Sequence, residues 1–154
     1  MMKNLSGAPK TIAILALLVL ASSGCTRLTP QEQAHYSSRV YPLPYERVFE
    51  AVKERVADYP MGLKAADQGK GLVTSRIGGA TSNIGAAIGY QIMVSVTAER
   101  ERTRVTPAWR MNISSEPTSI HMLPVGIDER PLMYMEFFDA LDVILSGQSS
   151  QGGS

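Results

Sequence analysis

The residues able to do chemistry are few and far apart. The chain of 154 residues has two histidines, His35 and His121, and a single cysteine, Cys25. Neither histidine has a second histidine or a cysteine at the spacing a metal site needs, so no metal is expected. Serine is frequent, but none stands in a Gly-x-Ser-x-Gly elbow, and neither histidine has an acid beside it in sequence. A triad assembled only in space keeps a hydrolase open as a third reading. Gly69-Lys70-Gly71 has glycine where a phosphate loop needs its hydroxyl residue, and residues 78–89 carry four glycines but no lysine, so neither cradles a phosphate. No catalytic residue and no cofactor is expected, and the chain reads as a non-enzymatic protein.

That leaves the sulfur of Cys25 and what precedes it. Lys3 and Lys10 with no acid, then an apolar run from residue 11, then Ala21, Ser22, Ser23 and Gly24, are the parts of a secretory signal. The run is shorter than the roughly 20 apolar residues that span a bilayer. Ala21-Ser22-Ser23-Gly24-Cys25 resembles the lipobox of bacterial lipoproteins, with Ser22 where leucine is usual. The resemblance implies that the signal is cut before Cys25, that the sulfur becomes a diacylglycerol thioether, and that the new amine is acylated, as by palmitate. Each buried methylene contributes about 0.8 kcal/mol, so two or three chains together hold a protein at a surface where one does not. Residue 26 is threonine, not the aspartate that retains such proteins in the inner membrane, which implies an outer-membrane anchor facing the periplasm. A secreted protein cut after Ser23 with a stray thiol, and an uncleaved short anchor, are the alternatives.

Residues 1–24 carry two lysines and no acid, so the remainder has 13 basic and 14 acidic residues. A near-neutral surface lacks the basic footprint of nucleic-acid binding, and nucleic acid is excluded as a partner. With its one cysteine acylated the chain has no disulfide, so stability must come from a packed core. The length suits one domain.

Four segments follow: a removed signal peptide at 1–24, a lipidated tether at 25–36, a single α+β domain at 37–146, and a disordered tail at 147–154. In the domain, Val40 marks a weak strand before Pro42 and Pro44. Tyr45, Val48, Phe49, Val52, Val56 and Tyr59 recur at helical spacing and predict an amphipathic helix ended by Pro60 and Gly62, with Pro44 in its first turn. Residues 63–67 and 71–77 read as a hairpin, and 78–89 as an uncharged glycine-rich loop. Alternation over 90–99 (Tyr90, Ile92, Val94, Val96) and 103–113 (Val105, Trp109, Met111, Ile113) predicts a second hairpin with one buried face. Pro107 places that second strand at an edge or a bulge. Residues 119–123 suggest a further short edge strand. Met133, Tyr134, Phe137, Phe138, Leu141, Ile144 and Leu145 predict a last helix, capped near Asp128 and closed by Gly147. The expected fold is a two-layer α+β sandwich, a four- to five-stranded, mainly antiparallel sheet against two amphipathic helices.

Tyr41-Pro42-Leu43-Pro44-Tyr45-Glu46-Arg47-Val48-Phe49 followed by Gly71-Leu72-Val73-Thr74-Ser75 resembles, in its order of elements, the helix-grip domains of BamC-like lipoproteins. These are accessory parts of the outer-membrane β-barrel assembly machinery. The resemblance covers the first half of the domain and implies architecture, with no functional motif. Two surfaces stand out besides. Glu136, Asp139 and Asp142 form an acidic stretch on the last helix, a possible partner surface. Met93, Met122, Met133 and Met135 supply adaptable apolar area, for core filling or for a lipid or peptide groove. The leading expectation is a lipid-anchored scaffold or assembly factor of the cell envelope that binds another envelope protein. A carrier of a lipid or other apolar ligand in a groove between sheet and helix is the alternative.

Overall fold

The computed structural model describes residues 28–81, 87–114 and 121–149. Cys25 and its leader, the middle of the glycine-rich stretch and residues 150–154 lie outside the described residues. The described chain runs α1 (Pro30–Ser37), β1 (Arg39–Tyr41), α2 (Tyr45–Ala57), β2 (Leu63–Asp67), β3 (Leu72–Ser75), β4 (Gly78–Thr81), β5 (Ala87–Glu99), β6 (Arg102–Ser114), β7 (Met122–Val125) and α3 (Pro131–Ser149).

The fold is built on the β5–β6 hairpin, in register from Ala87 opposite Ser114 to Glu99 opposite Arg102. Ile92 faces Trp109, Val94 faces Pro107 and Val96 faces Val105, all on one side. Each of the six is buried. Ser95, Thr97, Thr106 and Arg110, on the other side, are exposed, as the period of two requires. All pairings are antiparallel, and the path across the sheet is β1-β6-β5-β3-β2, with β4 also on β5 and β7 also on β6. The seven strands thus occupy five positions, because β3 and β4 share one side of β5 and β1 and β7 share one side of β6. Where β3 gives way to β4, the buried Ser75 hydroxyl accepts from the Ile92 N–H at 3.0 Å, and the Ser75 carbonyl accepts from Gln91 Nε2 at 3.1 Å.

α2 buries Val48, Phe49, Ala51, Val52 and Val56, and α3 buries Tyr134, Phe137, Phe138, Leu141 and Leu145, in one core with the hairpin's apolar face. Side chains three and four apart on a helix share a face, which is why these two stripes were readable.

Several expectations are corrected. Among the described residues, seven strands and three helices replace four to five strands and two helices. The glycine-rich stretch is β4 at its start and the first residues of β5 at its end, with Gly79 opposite Gly89. Glycines gave that segment no alternation to read. Pro107 lies in an interior strand; it falls between the part of β6 paired with β1 and the part paired with β7, where that side has no ladder to break among the described residues. The tether contains α1, whose N-cap Thr29 accepts from the Glu32 N–H while the Glu32 carboxylate accepts from the Thr29 N–H. This capping box starts a helix that buries no residue of its own. Pro44 is the N-cap of α2 and lies outside its first turn, and α3 runs through Gly147 to Ser149 into the segment expected as tail.

Candidate ligand cavity

α2 cannot continue through Pro60, which has no N–H, and Gly62 turns the chain at φ +68° toward β2. The turn brings Met61 against the start of β4. A Cβ on Gly78 would lie 2.5 Å from the Cβ of Met61, and one on Gly79 would lie 2.7 Å from the Ile88 carbonyl oxygen. Glycine at both places lets the turn and the strand close on each other, and together they wall one side of a cavity of about 370 Å³. Tyr90 and Trp109 of the hairpin and Met133 and Glu136 of α3 line the rest, with Tyr59, Pro60 and Met61. That volume lies in the range of small-molecule sites, about 300–1,000 Å³.

The lining is apolar with two hidden donors. Trp109 is 3% exposed, and its Nε1 is buried without a hydrogen-bond partner among the described residues. The Tyr59 hydroxyl is in the same condition. The two rings meet edge to face with centroids 5.3 Å apart. Burial pushes the Tyr59 phenol up to about 12. Arg55, whose guanidinium carbon sits 4.0 Å from the ring centroid, pulls the other way with its positive charge, and Glu136 adds to the rise. The phenol is therefore protonated at neutral pH.

A second, wider groove shares Tyr90 and Met133 with the cavity and continues along Met135, Pro131 and Leu132 to Leu28 and Glu32. Leu132 is 66% exposed there. Leu28 is three residues from Cys25, so a fully extended chain would place the sulfur-bearing residue within about 11 Å of this groove.

The residues singled out from sequence do not gather at one place. His35 lies on α1 with Nε2 2.9 Å from an Arg39 guanidinium nitrogen, and the exposed His121 precedes β7, its N–H donating to Asn112 Oδ1. Among the described residues no group of His, Cys, Asp and Glu is placed to hold a metal. Of the acids on α3, Glu136 lines the cavity and Asp139 is exposed. Asp142 is engaged within the fold: it pairs with Arg39 and accepts from the Tyr41 hydroxyl at 2.8 Å. Met133 and Met135 line the grooves, while Met93 and Met122 sit half-buried on β5 and β7. Sequence reasoning put Trp109 and Tyr59 on buried faces but did not see a cavity between them. An indole N–H among apolar neighbours was the one available signal.

No family model and no curated protein matches the chain. Among the described residues no helix is long and apolar enough to cross a membrane.

Proposed function

We propose that the chain is a lipoprotein of the bacterial cell envelope, anchored through Cys25 in the outer membrane and facing the periplasm. Its domain binds an apolar molecule in the cavity without transforming it. The observation that carries the reading is the apolar cavity and its adjoining groove, which reaches Leu28, close in sequence to the proposed anchor. A domain tethered there would meet lipids at high local concentration, and a groove lined by Met133, Met135 and Leu132 suits a flexible chain. The cavity moves weight from a protein partner, the first expectation from sequence, to the apolar ligand. The likeness to BamC-like helix-grip domains belongs to this proposal as well, supported by a sheet covered on one face by helices. Native mass spectrometry of protein lacking residues 1–25, recovered from the periplasm, tests the binding role. A bound lipid mass is expected, and spectra of bare protein from repeated preparations would contradict it.

A second reading, an envelope scaffold that docks another protein, is favoured by one stripe of α3. Leu132 and Val143 are 66% and 70% exposed, and eleven residues apart they share a helix face with Asp139 between them. Crosslinking of the anchored protein in cells should then recover one stoichiometric envelope partner through this helix, and recovery of none would remove the reading.

A further inference from the structure

Met133 and Glu136 stand three apart on α3 and so share the face that lines the cavity. Glu136 is also exposed, which sets a negative charge where the apolar cavity meets water. That charge is uncompensated: Glu136 makes no hydrogen bond and no ion pair among the described residues. The carboxylates of the adjoining groove are engaged, Glu32 with the Thr29 N–H and Glu129 with the Gly126 N–H. The field of Glu136 reaches the cavity wall, since it helps to raise the Tyr59 phenol. Aromatic rings attract cations that come within about 6 Å of their centroids. Tyr59 already receives Arg55 in this way, from a residue that does not line the cavity, and Trp109 is only 3% exposed. Tyr90, half-buried and lining both cavity and groove, is the ring left open to a ligand. An anionic head would meet Glu136 as a like charge, whereas a cationic one would meet a carboxylate and an aromatic ring together. At about 30 Å³ per small group, judged from the volume of a water molecule, the cavity of about 370 Å³ holds roughly a dozen non-hydrogen atoms, the size of an octyl chain with a trimethylammonium head.

Resting on the apolar-ligand reading, we infer that the cavity selects an apolar chain bearing an ammonium group, with Glu136 as its counter-ion and Tyr90 as its aromatic partner. The amine head group of a phospholipid and a free alkylammonium share that chemistry.

Trp109 is the only tryptophan of the chain and lines the cavity, so its fluorescence reports the site directly. The mature chain from residue 25 to 154, carrying Cys25→Ser to keep it in water, is titrated with octyltrimethylammonium, octanol and octanoate, which differ chiefly in the charge of the head. A quaternary ammonium has no N–H, so it reads charge without hydrogen bonding. It is expected to bind about tenfold more tightly than octanoate, the ratio that a half-exposed ion pair and a cation–π contact supply together, with octanol between them. Glu136→Gln, which keeps the size of an exposed side chain, should cut that ratio to about threefold or less. Octanoate binding as tightly as the ammonium overturns the inference while the apolar-ligand reading stands, and so does a ratio untouched by Glu136→Gln. Binding of none of the three overturns the apolar-ligand reading itself, and the inference with it. Titration with dihexanoylphosphatidylcholine against octyltrimethylammonium then separates the two sources, the tighter binder pointing to a lipid head group or to a free ammonium.

Discussion

Gly71 decides how closely the β2–β3 turn approaches the central hairpin. It adopts φ +62°, and a Cβ there would lie 2.1 Å from the Val96 carbonyl oxygen, while the Val96 N–H donates to the Gly71 carbonyl at 2.7 Å. A side chain must both enter the left-handed region and push a hydrogen-bonded backbone away. Gly71→Ala is therefore expected to destabilise the fold by more than about 2 kcal/mol in urea unfolding. Gly147 is the contrast, since it is helical with open space around its missing Cβ. Gly147→Ala should stabilise by about 0.5–1 kcal/mol. Tyr59 makes a pH-dependent case. Its folded-state value is raised to about 12 above the ordinary phenol value near 10, so its neutral form contributes stability below pH 10 that is lost as pH rises toward 12. Tyr59→Phe should remove that part of the alkaline loss. It should also raise the stability of ligand-free protein by about 1 kcal/mol at neutral pH, because an unpartnered hydroxyl is removed. Thermal unfolding at pH 7 and at pH 11 measures both; a variant less stable than wild type at pH 7 would show that the hydroxyl has a partner.

At the scale of elements, α1 depends on its cap more than on burial. Glu32 is held below its ordinary value by its hydrogen bonds to the Thr29 backbone N–H and hydroxyl. A depressed carboxyl contributes stability above its unfolded value that disappears as pH falls through the folded one. At pH 3 the amides of α1 should exchange freely while those of β5 and β6 remain protected, as hydrogen exchange by NMR would show. Loss of both together would mean that α1 is integral to the core. This difference also explains what was legible in the chain. α2, α3 and the β5–β6 pair announce themselves because their apolar residues recur at the helical or the strand period, and those residues are the buried ones. α1 has no apolar period, and its one signal is the capping box, Thr29 with Glu32 three residues on, set in a polar stretch. β4 was hidden because Gly78 and Gly79 have no side chains to alternate. Pro107 misled in the other direction, since a proline argues against an interior strand unless the neighbouring position is empty, and here β1 and β7 leave it so.

At the scale of the molecule, the sheet has one face covered by α2 and α3 and one face open, with Ser95, Thr97, Thr106 and Arg110 exposed on it. The cavity lies on the covered side, where the end of α2, the start of α3 and the paired strands leave a gap that no single segment reveals. Its existence follows from how the helices sit on the sheet, which is why it was not legible in a linear pattern. The proposed lipid at Cys25 would hold this side near the bilayer, since Leu28 lines the groove that joins the cavity. The most direct test uses Trp109 as its own reporter. Lipidated protein is reconstituted into vesicles of phospholipid brominated on the acyl chain, and its fluorescence is compared with that in unbrominated vesicles. Strong quenching by the brominated chains, much reduced for the unlipidated Cys25→Ser protein, is the expected result, whereas equal emission from both kinds of vesicle would contradict an acyl chain reaching the cavity.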